Sequence, residues 1–263
     1  MRTIRVIVPV GFGLNCEDET AHAFRLVGAE VDLVHLTDLF AHRHPRRIAD
    51  YQVLAMVGGF AYGDHVAGGL VLATRIRAHL KDDLGAFLAG GGRVLGICNG
   101  FQTLTRLGLV PGGVDAPQTA ALGANQRGTF YDGWVTLAMD AGSPCVFTRG
   151  METLEVPVRH GEGRLLCSST VRDDIARRHL APVRYADPDT GVPSHRFPQN
   201  PNGSEDAIAG LCDPTGRIFG LMPHPEAFLY FENHPRWRRR QRTSEAGDGL
   251  QVFRNAVEFA ARG

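Results

Sequence analysis

The segment that decides the fold runs from Arg93 to Leu104 and reads RVLGICNGFQTL. It begins as an apolar run typical of a strand and continues with the spacing of a helix. A tight turn from a strand into a helix, a nucleophile elbow, needs small neighbours and raises one side chain above the sheet. Cys98 has such neighbours in Gly96 and Gly100, and the N-terminus of the following helix favours a negatively charged thiolate. The sequence thus indicates either a nucleophile at Cys98 or a buried cysteine beside a helix-packing glycine.

Strands and helices alternate around this segment through the first half of the chain. The strands are unbroken apolar runs, as in a parallel sheet with both faces covered, and they read IRVIVPV, VDLVHL, YQVLAMVGGF and RVLGI. Asn15 is expected to cap the first helix, and AGGLVLATRIRAHLKDDLGAFLAGGG predicts one long helix closed by glycines. From about residue 115 hairpin-forming strands take over; VRYADPDTGVPSHRFPQNPNGS is predicted to be loop, and LQVFRNAVEFAAR a closing amphipathic helix. These patterns predict a single α/β domain.

Composition and charge narrow the class of protein. The 263 residues suit one large domain, and 28 basic against 28 acidic side chains give no net charge, which argues against a nucleic-acid-binding protein. No apolar run has the length of a membrane span, and the N-terminal stretch is more typical of a strand than of a signal peptide. The five cysteines are widely spaced without a C-x-x-C pair, which favours reduced thiols in a cytoplasmic protein over disulfides or a zinc knuckle. The lone H-x-H of HRHPRR is a weak pattern, and no metal is assigned.

A base and an orienting acid for Cys98 are found in the segment LMPHPE. It follows the apolar run 217–221, and loops that follow the strands of a parallel sheet share one edge, so His224 and Glu226 are expected to reach Cys98. A second segment, VGGFAYGD, follows the third strand and offers backbone N–H groups that, with the N–H of Asn99, could stabilise an oxyanion. Taken singly, the first segment is also typical of a surface loop, and the second of a flexible turn.

Six short motifs, taken together, resemble those of a known family. They are GFGLNCEDET, GGFAYGD, GICNGFQTL, VRHGEGR, NPNGS and GLMPHPE, and they span residues 11 to 226 in the family's order. The sequence resembles the class I, triad-type, glutamine amidotransferases, and within them the glutaminase subunits of phosphoribosylformylglycinamidine synthases, which act in purine biosynthesis. Each motif is weak alone, whereas six in order are specific.

The resemblance implies a domain that hydrolyses glutamine and has a flavodoxin-like α/β fold, with a mostly parallel sheet and helices on both faces. The implied nucleophile is Cys98, the base is His224, and the orienting acid is Glu226. Four further positions match those that bind the substrate or stabilise the oxyanion: Gln102, Gly59, Phe60 and Asn99. The implied domain covers residues 1–263, with a loop insertion near 171–205 and a C-terminal extension over 227–263.

The resemblance also implies a division of labour between subunits. Ammonia released from glutamine would pass to a synthetase subunit that uses ATP and Mg and converts formylglycinamide ribonucleotide to its amidine, in some members with a small third subunit. No cofactor is expected in this chain, which has no phosphate-binding G-x-x-x-x-G-K-[ST] motif. No binding to nucleic acid or to a membrane is expected.

Three segments leave alternatives open. The segment HGEGR, His160 to Arg164, borders the glutamine pocket, faces the synthetase, or is a charged loop. The segment NPNGS, Asn200 to Ser204, is turn-forming and, by resemblance, an active-site or interface loop. After the H-P-E motif the family commonly has a basic residue where this chain has Ala227. The tail HPRWRRRQR is expected to be a solvated loop, with an acidic partner surface or a nucleotide phosphate as the alternative.

The sequence is compatible with two other functions. One is a flavodoxin-like cysteine hydrolase of the peptidase or deglycase type, in which a histidine commonly follows the cysteine directly; here Asn99 follows Cys98, and His224 lies far downstream. The other is a catalytically silent binding subunit, which the presence of all three triad residue types disfavours. A glutaminase assay of the chain, with and without its partner, separates the three functions.

Overall fold

The computed structural model describes residues 3–242 and 244–262, so Met1, Arg2, Thr243 and Gly263 of the predicted domain lie outside the described residues. The strands are β1 (Arg5–Val10), β2 (Glu30–His35), β3 (Val53–Met56), β4 (Arg93–Ile97), β5 (Ala120–Ala124), β6 (Tyr131–Met139), β7 (Thr153–His160), β8 (Glu162–Cys167), β9 (Val183–Ala186), β10 (Ile208–Cys212) and β11 (Ile218–Leu221). The α-helices are α1 (Glu17–Leu26), α2 (Leu36–Phe40), α3 (Leu70–His79), α4 (Lys81–Ala89), α5 (Asn99–Leu107), α6 (Leu109–Gly112), α7 (Ser169–Arg177) and α8 (Leu250–Ala261). Short 3-10 turns include Ala61–Asp64 and Pro225–Ala227.

One large sheet organises the molecule. Within the described residues it has nine strands in the order β2-β1-β3-β4-β11-β10-β9-β6-β7, and β5 pairs with β8 separately. Strands β2, β1, β3, β4 and β11 are parallel, whereas β11, β10, β9, β6 and β7 pair antiparallel. In the register between β4 and β11, Ile97 lies opposite Leu221. The carboxyl ends of β1, β3, β4 and β11 therefore meet at one edge, as the sequence predicts for the segments that carry the motifs.

Both faces of the parallel part are covered. All residues of β3 and β4 are buried, which is the pattern of strands that lie between two layers of helices. Helix α1 packs against α8, and α3 packs against α5. Most buried apolar side chains of the described ranges belong to one continuous core. None of the helices described is both long and apolar enough to cross a membrane.

Three local predictions are wrong. The long helix is divided into α3 and α4 at Leu80, whose backbone (φ −126°, ψ 10°) leaves the helical range while its side chain is buried. The N-cap of α1 is Cys16 rather than Asn15, and no side chain caps that helix end. The stretch predicted as loop from Val183 onward begins with β9, which pairs with β6 and β10. Strand β9 was missed because four residues next to a Pro- and Gly-rich run give little strand signal on their own. Its extended conformation is set by pairing with β6 and β10.

The predicted insertion and extension contain ordered elements. Residues 171–205 include most of α7 and all of β9, and the extension from residue 227 ends in α8, the predicted closing helix. The basic tail segment is largely exposed to solvent, as predicted, and three of its arginines also form ion pairs. Arg236 and Arg240 donate to the carboxylate of Glu155 on β7 at 3.2 and 2.8 Å, and Arg242 pairs with Glu232 at 3.1 Å. Sequence reasoning missed this because the acidic partner lies in a distant strand.

Candidate active site

Cys98 lies in a strained turn between β4 and α5. Its backbone angles, φ 52° and ψ −104°, fall in a region that residues with a Cβ rarely adopt, and its N–H donates to the carbonyl oxygen of Leu221 at 2.8 Å. A Cβ on Gly100 would lie 2.0 Å from the backbone oxygen of Met56, and one on Gly96 would lie 2.5 Å from Cδ1 of Leu104. The two flanking glycines are therefore required by packing, as the elbow prediction supposes.

Gly100→Ala is expected to destabilise the fold by about 1–3 kcal/mol or more, because the new methyl group meets backbone rather than a flexible side chain. Urea unfolding measures the free energy. Gly85→Ala in α4 is the matched control, since a methyl group there has no neighbour within 4 Å; it should stabilise by about 0.5–1 kcal/mol through helix propensity. Equal unfolding free energies for the two variants would contradict the steric account of the elbow.

His224 and Glu226 form a buried pair beside the elbow. Nδ1 of His224 donates to Oε1 of Glu226 at 2.5 Å, and both side chains are almost inaccessible to solvent. The N–H of His224 donates to the carbonyl oxygen of Pro157 on β7 at 2.8 Å, which fixes the loop after β11 against the antiparallel half of the sheet. The carboxylate thus orients the ring and leaves Nε2 as the nitrogen available for chemistry.

The imidazole of His224 faces two thiols. Burial lowers the pKa of His224, but the carboxylate of Glu226 and then the Cys98 and Cys16 thiols raise it, and the net pKa lies well above the ordinary value. Neither thiol makes a well-aligned hydrogen bond with Nε2, which has no partner within the described ranges. A methyl group on Gly58 would lie 2.9 Å from Cε1 of His224, 3.1 Å from Sγ of Cys16 and 3.5 Å from Cβ of Cys98. The three side chains therefore converge on one point, and only glycine at position 58 leaves it open.

The loop after β3 contains two residues that were predicted to stabilise an oxyanion, and their N–H groups differ in whether they already have an acceptor. The N–H of Phe60 donates to the carbonyl oxygen of Gly13 at 2.8 Å and is already used. The N–H of Gly59 has no acceptor among the described residues, and the same holds for the N–H of Asn99 at the first position of α5. Gly59 and Asn99 are therefore the available backbone donors, while the half-exposed ring of Phe60 lies at the rim.

The side chains of Asn99 and Gln102 form a network that joins three segments. Nδ2 of Asn99 donates to Oδ1 of Asp64 at 3.0 Å and to Oε1 of Gln102 at 2.8 Å. Nε2 of Gln102 donates to the carbonyl oxygen of Glu162 at 2.7 Å. The N–H of Ala61 donates to Oδ1 of Asn99 at 3.3 Å. Gln102 lines the cleft, and its amide ties the elbow helix to the HGEGR segment.

The HGEGR segment forms a wall of the cleft. Its first three residues, His160, Gly161 and Glu162, line the cleft together with Arg159, and the segment continues from β7 into β8. This location agrees with the first of the three alternatives left open by the sequence. Burial, followed by the charge of His224, lowers the pKa of His160 to about 3. His160 is therefore neutral near pH 7 and is a poor proton acceptor.

The NPNGS loop fixes the proton on the His160 ring. The N–H of Ser204 donates to Oδ1 of Asn202 at 3.0 Å, which sets the orientation of the Asn202 amide. Its Nδ2 therefore faces Nε2 of His160 at 3.1 Å, as well as the carbonyl oxygen of Gly163 at 2.8 Å and the hydroxyl of Tyr185 at 3.1 Å, so a proton on Nε2 would meet a donor. The proton of the neutral imidazole then resides on Nδ1, which has no partner in the described structure. The loop contacts the cleft residue His160 through Asn202 and contributes no residue of its own to the lining of the cleft.

The cleft measures about 430 Å³, and the sequence-predicted residues cover only part of its lining. Sequence reasoning missed a set of lining residues that carry charge, a thiol or an aromatic ring: Cys16, Glu19, Asp64, Phe130 and Arg159. The signal for the first two was available, because the loop after β1 meets the same sheet edge as the elbow. Phe130 directly precedes β6 and Arg159 lies on β7, and the sequence does not reveal how these antiparallel strands pair with the rest of the sheet.

An α/β sheet that presents a cysteine elbow beside a buried histidine–glutamate pair is the architecture of class I glutamine amidotransferases. The family model of the CobB/CobQ-like glutamine amidotransferase domain matches residues 3–260. Phosphoribosylformylglycinamidine synthase subunit PurQ of Methanococcus maripaludis is 41% identical, with 97% of each chain covered. The subunit PurQ of Dehalococcoides mccartyi is 42% identical, with 99% of each chain covered. The chain therefore belongs to the CobB/CobQ-like glutamine amidotransferase family and, within it, to the group of phosphoribosylformylglycinamidine synthase subunits PurQ.

A solved structure agrees with this assignment. A chain in the structure of PurLQS from Thermotoga maritima superposes with a TM-score of 0.71 at 28% identity, and the match covers 98% of this chain and 99% of that one. The similarity extends through both the parallel and the antiparallel parts of the large sheet. The predicted fold class is thereby confirmed.

Proposed function

We propose that the chain hydrolyses glutamine with Cys98 as nucleophile, His224 as base and acid, and Glu226 as the group that orients His224. It is the glutaminase subunit of phosphoribosylformylglycinamidine synthase and serves purine biosynthesis. The observation that carries the residue assignment is the convergence of the strained elbow and the buried His224–Glu226 pair at one point of the cleft. Family membership supports the choice of glutamine as substrate.

The geometry supports a two-step reaction. Cys98 gives its thiol proton to His224, its sulfur attacks the side-chain amide carbon of glutamine, and the backbone N–H groups of Gly59 and Asn99 stabilise the oxyanion. The carbon–nitrogen bond breaks as His224 delivers its proton to the leaving ammonia, which leaves a γ-glutamyl thioester on Cys98. A water molecule that gives its proton to His224 then cleaves the thioester and yields glutamate. The raised pKa of His224 supports this scheme, because the proton needed by ammonia is present near neutral pH.

The lining of the cleft suits a free amino acid. The carboxylates of Glu19, Asp64 and Glu162 lie in the same cleft as the guanidinium of Arg159. Opposite charges in one enclosure complement the ammonium and carboxylate groups of a zwitterion. A peptide substrate lacks this pair of charges at an internal residue, which disfavours the peptidase alternative.

The proposal also includes a synthetase partner that receives the ammonia and a cytoplasmic location. The ammonia passes to the ATP- and Mg-using synthetase subunit, with a small third subunit in the assembly, as the PurLQS similarity supports. The chain itself needs no cofactor for this hydrolysis. All five cysteines are free thiols in the structure, which supports a reducing, cytoplasmic location. Glutamine hydrolysis by the complex would exclude a silent binding subunit.

Electrophilic glutamine analogues are expected to alkylate Cys98 alone among the five cysteines. Cys98 and Cys16 both line the cleft beside His224, but only Cys98 lies at the elbow between β4 and α5. Mass spectrometry of the digested, labelled protein locates the modification. Free glutamine should protect Cys98, and iodoacetamide serves as an untargeted control reagent. Label distributed evenly over Cys16, Cys145, Cys167 and Cys212 would show that the cleft does not select glutamine.

Glu226→Gln is expected to move the alkaline limb of the kcat/KM profile for glutamine to lower pH. The protonated imidazole exists below the pKa of His224, so activity that depends on it is lost as pH rises through that pKa. The Glu226 carboxylate is the strongest influence that raises this pKa, and a neutral amide lowers it again. Profiles of both proteins measure the shift, with Glu232→Gln on the surface as the control. Superimposable alkaline limbs would contradict the proposed role of the pair.

A further inference from the structure

A second cysteine lies at the catalytic centre without a role in glutamine hydrolysis. Cys16 is the N-cap of α1, and its N–H donates to the carbonyl oxygen of Gly58 at 3.3 Å. One possible ligand atom from each of Cys16, His224 and Glu226 lies within 4.8 Å of the others, and all three residues are buried. The loop after β1 therefore brings a thiol to the imidazole from the side opposite to β11.

The common target of these groups is Nε2 of His224. This atom is buried and has no hydrogen-bond partner in the described part of the chain, while the thiols of Cys16 and Cys98 both face the ring. The point above Gly58 that lies 3.1 Å from Sγ of Cys16 is also 3.5 Å from Cβ of Cys98. The sulfur of Cys16, the side chain of Cys98 and the ring of His224 thus border a single position.

We propose that Cys16, Cys98 and His224 form a binding site for a thiophilic divalent cation such as Zn²⁺, and that the bound cation stops glutamine hydrolysis. Two thiolates and one imidazole are a known donor set for zinc sites that keep a fourth position open. Tetrahedral zinc with these ligands places its donor atoms about 3.5–3.8 Å apart. A sulfur of Cys16 and a ring nitrogen of His224 lie within 4.8 Å of each other, and the Cys98 thiol faces the same ring, so rotations of the two cysteine side chains are needed to reach that spacing.

The surroundings of the ring support metal binding at Nε2. A histidine that binds zinc usually donates its other nitrogen to a carboxylate, and Nδ1 of His224 already donates to Glu226. Two thiolates also balance the two charges of the cation, so the bound set is neutral in a buried place. A bound cation displaces the thiol protons of its cysteine ligands.

The proposal has two parts that can fail separately. Binding of the cation rests on the geometry of Cys16, Cys98 and His224 alone. Inhibition rests on the proposed function as well, because it requires Cys98 to be the nucleophile of glutamine hydrolysis. A cation that holds the Cys98 sulfur keeps it from the amide carbon, and a chelator should restore it.

Cobalt is the probe for the binding part, because thiolate ligands give Co²⁺ a charge-transfer absorption that other ligands lack. The purified chain titrated with Co²⁺ is expected to show this absorption and the visible bands of tetrahedral cobalt, with one cation bound per chain and displacement by Zn²⁺. Cys16→Ser should weaken Zn²⁺ binding by more than about 100-fold in competition with a chromophoric chelator. Cys167→Ser, which removes a half-buried thiol elsewhere, should leave the spectrum unchanged.

Two outcomes would overturn the site. One is a wild-type spectrum without thiolate absorption, and the other is equal Zn²⁺ affinity in wild type and Cys16→Ser. Circular dichroism checks the folding of the variant. If Cys16→Ser does not fold, wild-type protein alkylated at Cys98 by a glutamine analogue takes its place. Thiolate bands of undiminished intensity, at unchanged Co²⁺ affinity, after that alkylation would also overturn the proposal.

Glutaminase assays test the inhibition part. Zn²⁺ should inhibit the wild-type complex reversibly, and Cys16→Ser should need at least about tenfold more Zn²⁺ for half inhibition, each protein being compared with its own zinc-free rate. Inhibition that is equal in the two proteins would contradict a role for Cys16. A wild-type chain that binds Co²⁺ through thiolates but never hydrolyses glutamine would refute the proposed function and leave the metal site intact.

Discussion

Cys98→Ala is expected to abolish glutamine-dependent amidine formation by the reconstituted synthase, with a loss of at least about 10⁴-fold. The variant lacks the sulfur that forms the thioester, and no other thiol in the cleft lies on the elbow; Cys16 lies across the imidazole on another loop. High ammonium salt at raised pH should restore amidine formation, because free ammonia is then abundant and the chemistry of the synthetase is untouched. Product formation with each nitrogen donor is the measurement.

The ammonium arm of this experiment distinguishes a chemical defect from an assembly defect. A Cys98→Ala complex that is inactive with both donors would mean that Cys98 serves assembly or the synthetase step, and the ammonia-supplying role would be wrong. Cys145→Ala is the control for loss of a buried thiol, since Cys145 is fully buried outside the cleft. Amidine formation from ammonium by this chain alone would contradict the dependence on a partner.

His224→Ala should reduce glutamine hydrolysis almost as completely as Cys98→Ala, by about 10³-fold or more, because nucleophile and base act as one unit. Removal of the imidazole takes away both the proton acceptor for the thiol and the proton donor for ammonia. The neighbouring His160 does not replace it, since its pKa of about 3 leaves it neutral and weakly basic. Steady-state glutaminase rates of the assembled complex measure the loss.

Whether the effects of the Cys98 and His224 substitutions add up tests directly whether the two residues act together. The double variant Cys98→Ala/His224→Ala should be no slower than either single variant. Glu226→Ala should cost less, because water can occupy part of the space of an orienting carboxylate. His160→Ala is the informative comparison, since it removes a second cleft imidazole without removing the proposed base. If His224→Ala retains most of the glutamine-dependent rate, another group is the base and the triad assignment fails.

The parallel half of the fold and its elbow could be predicted from sequence because their signals are local. Four apolar runs identify β1 to β4, and the small residues at positions 96 and 100 identify the turn at Cys98. His224 and Glu226 follow a fifth apolar run, and the shared edge of parallel strands places them near the cysteine. The convergence of these residues is therefore a consequence of strand order, which a sequence pattern can suggest.

Hairpin-forming strands of the antiparallel half could be predicted from sequence, but their order in the sheet and the position of β9 could not, because those signals are weak and the contacts are distant. Strand β9 has only four residues and owes its conformation to pairing with β6 and β10. The orientation of Asn202 toward His160 depends on a buried network that no motif encodes. The ion pairs of Glu155 with the basic tail join residues far apart in the chain. Cys16 differs from these residues, because it follows β1 at the same sheet edge as the elbow and strand order could have indicated it.

The position of β11 between β4 and β10 has a consequence for synthesis of the chain on the ribosome. β4 and the elbow emerge early, but the strand that pairs with β4 emerges only after the whole antiparallel excursion from β5 to β10. Until then β4 presents an unpaired edge, and the Cys98 thiol has no imidazole beside it. Such late closure between distant segments is typical of slow folding. The nascent subunit thus carries an incomplete form of the proposed catalytic centre until the segment with His224 and Glu226 has been made and β11 has paired with β4.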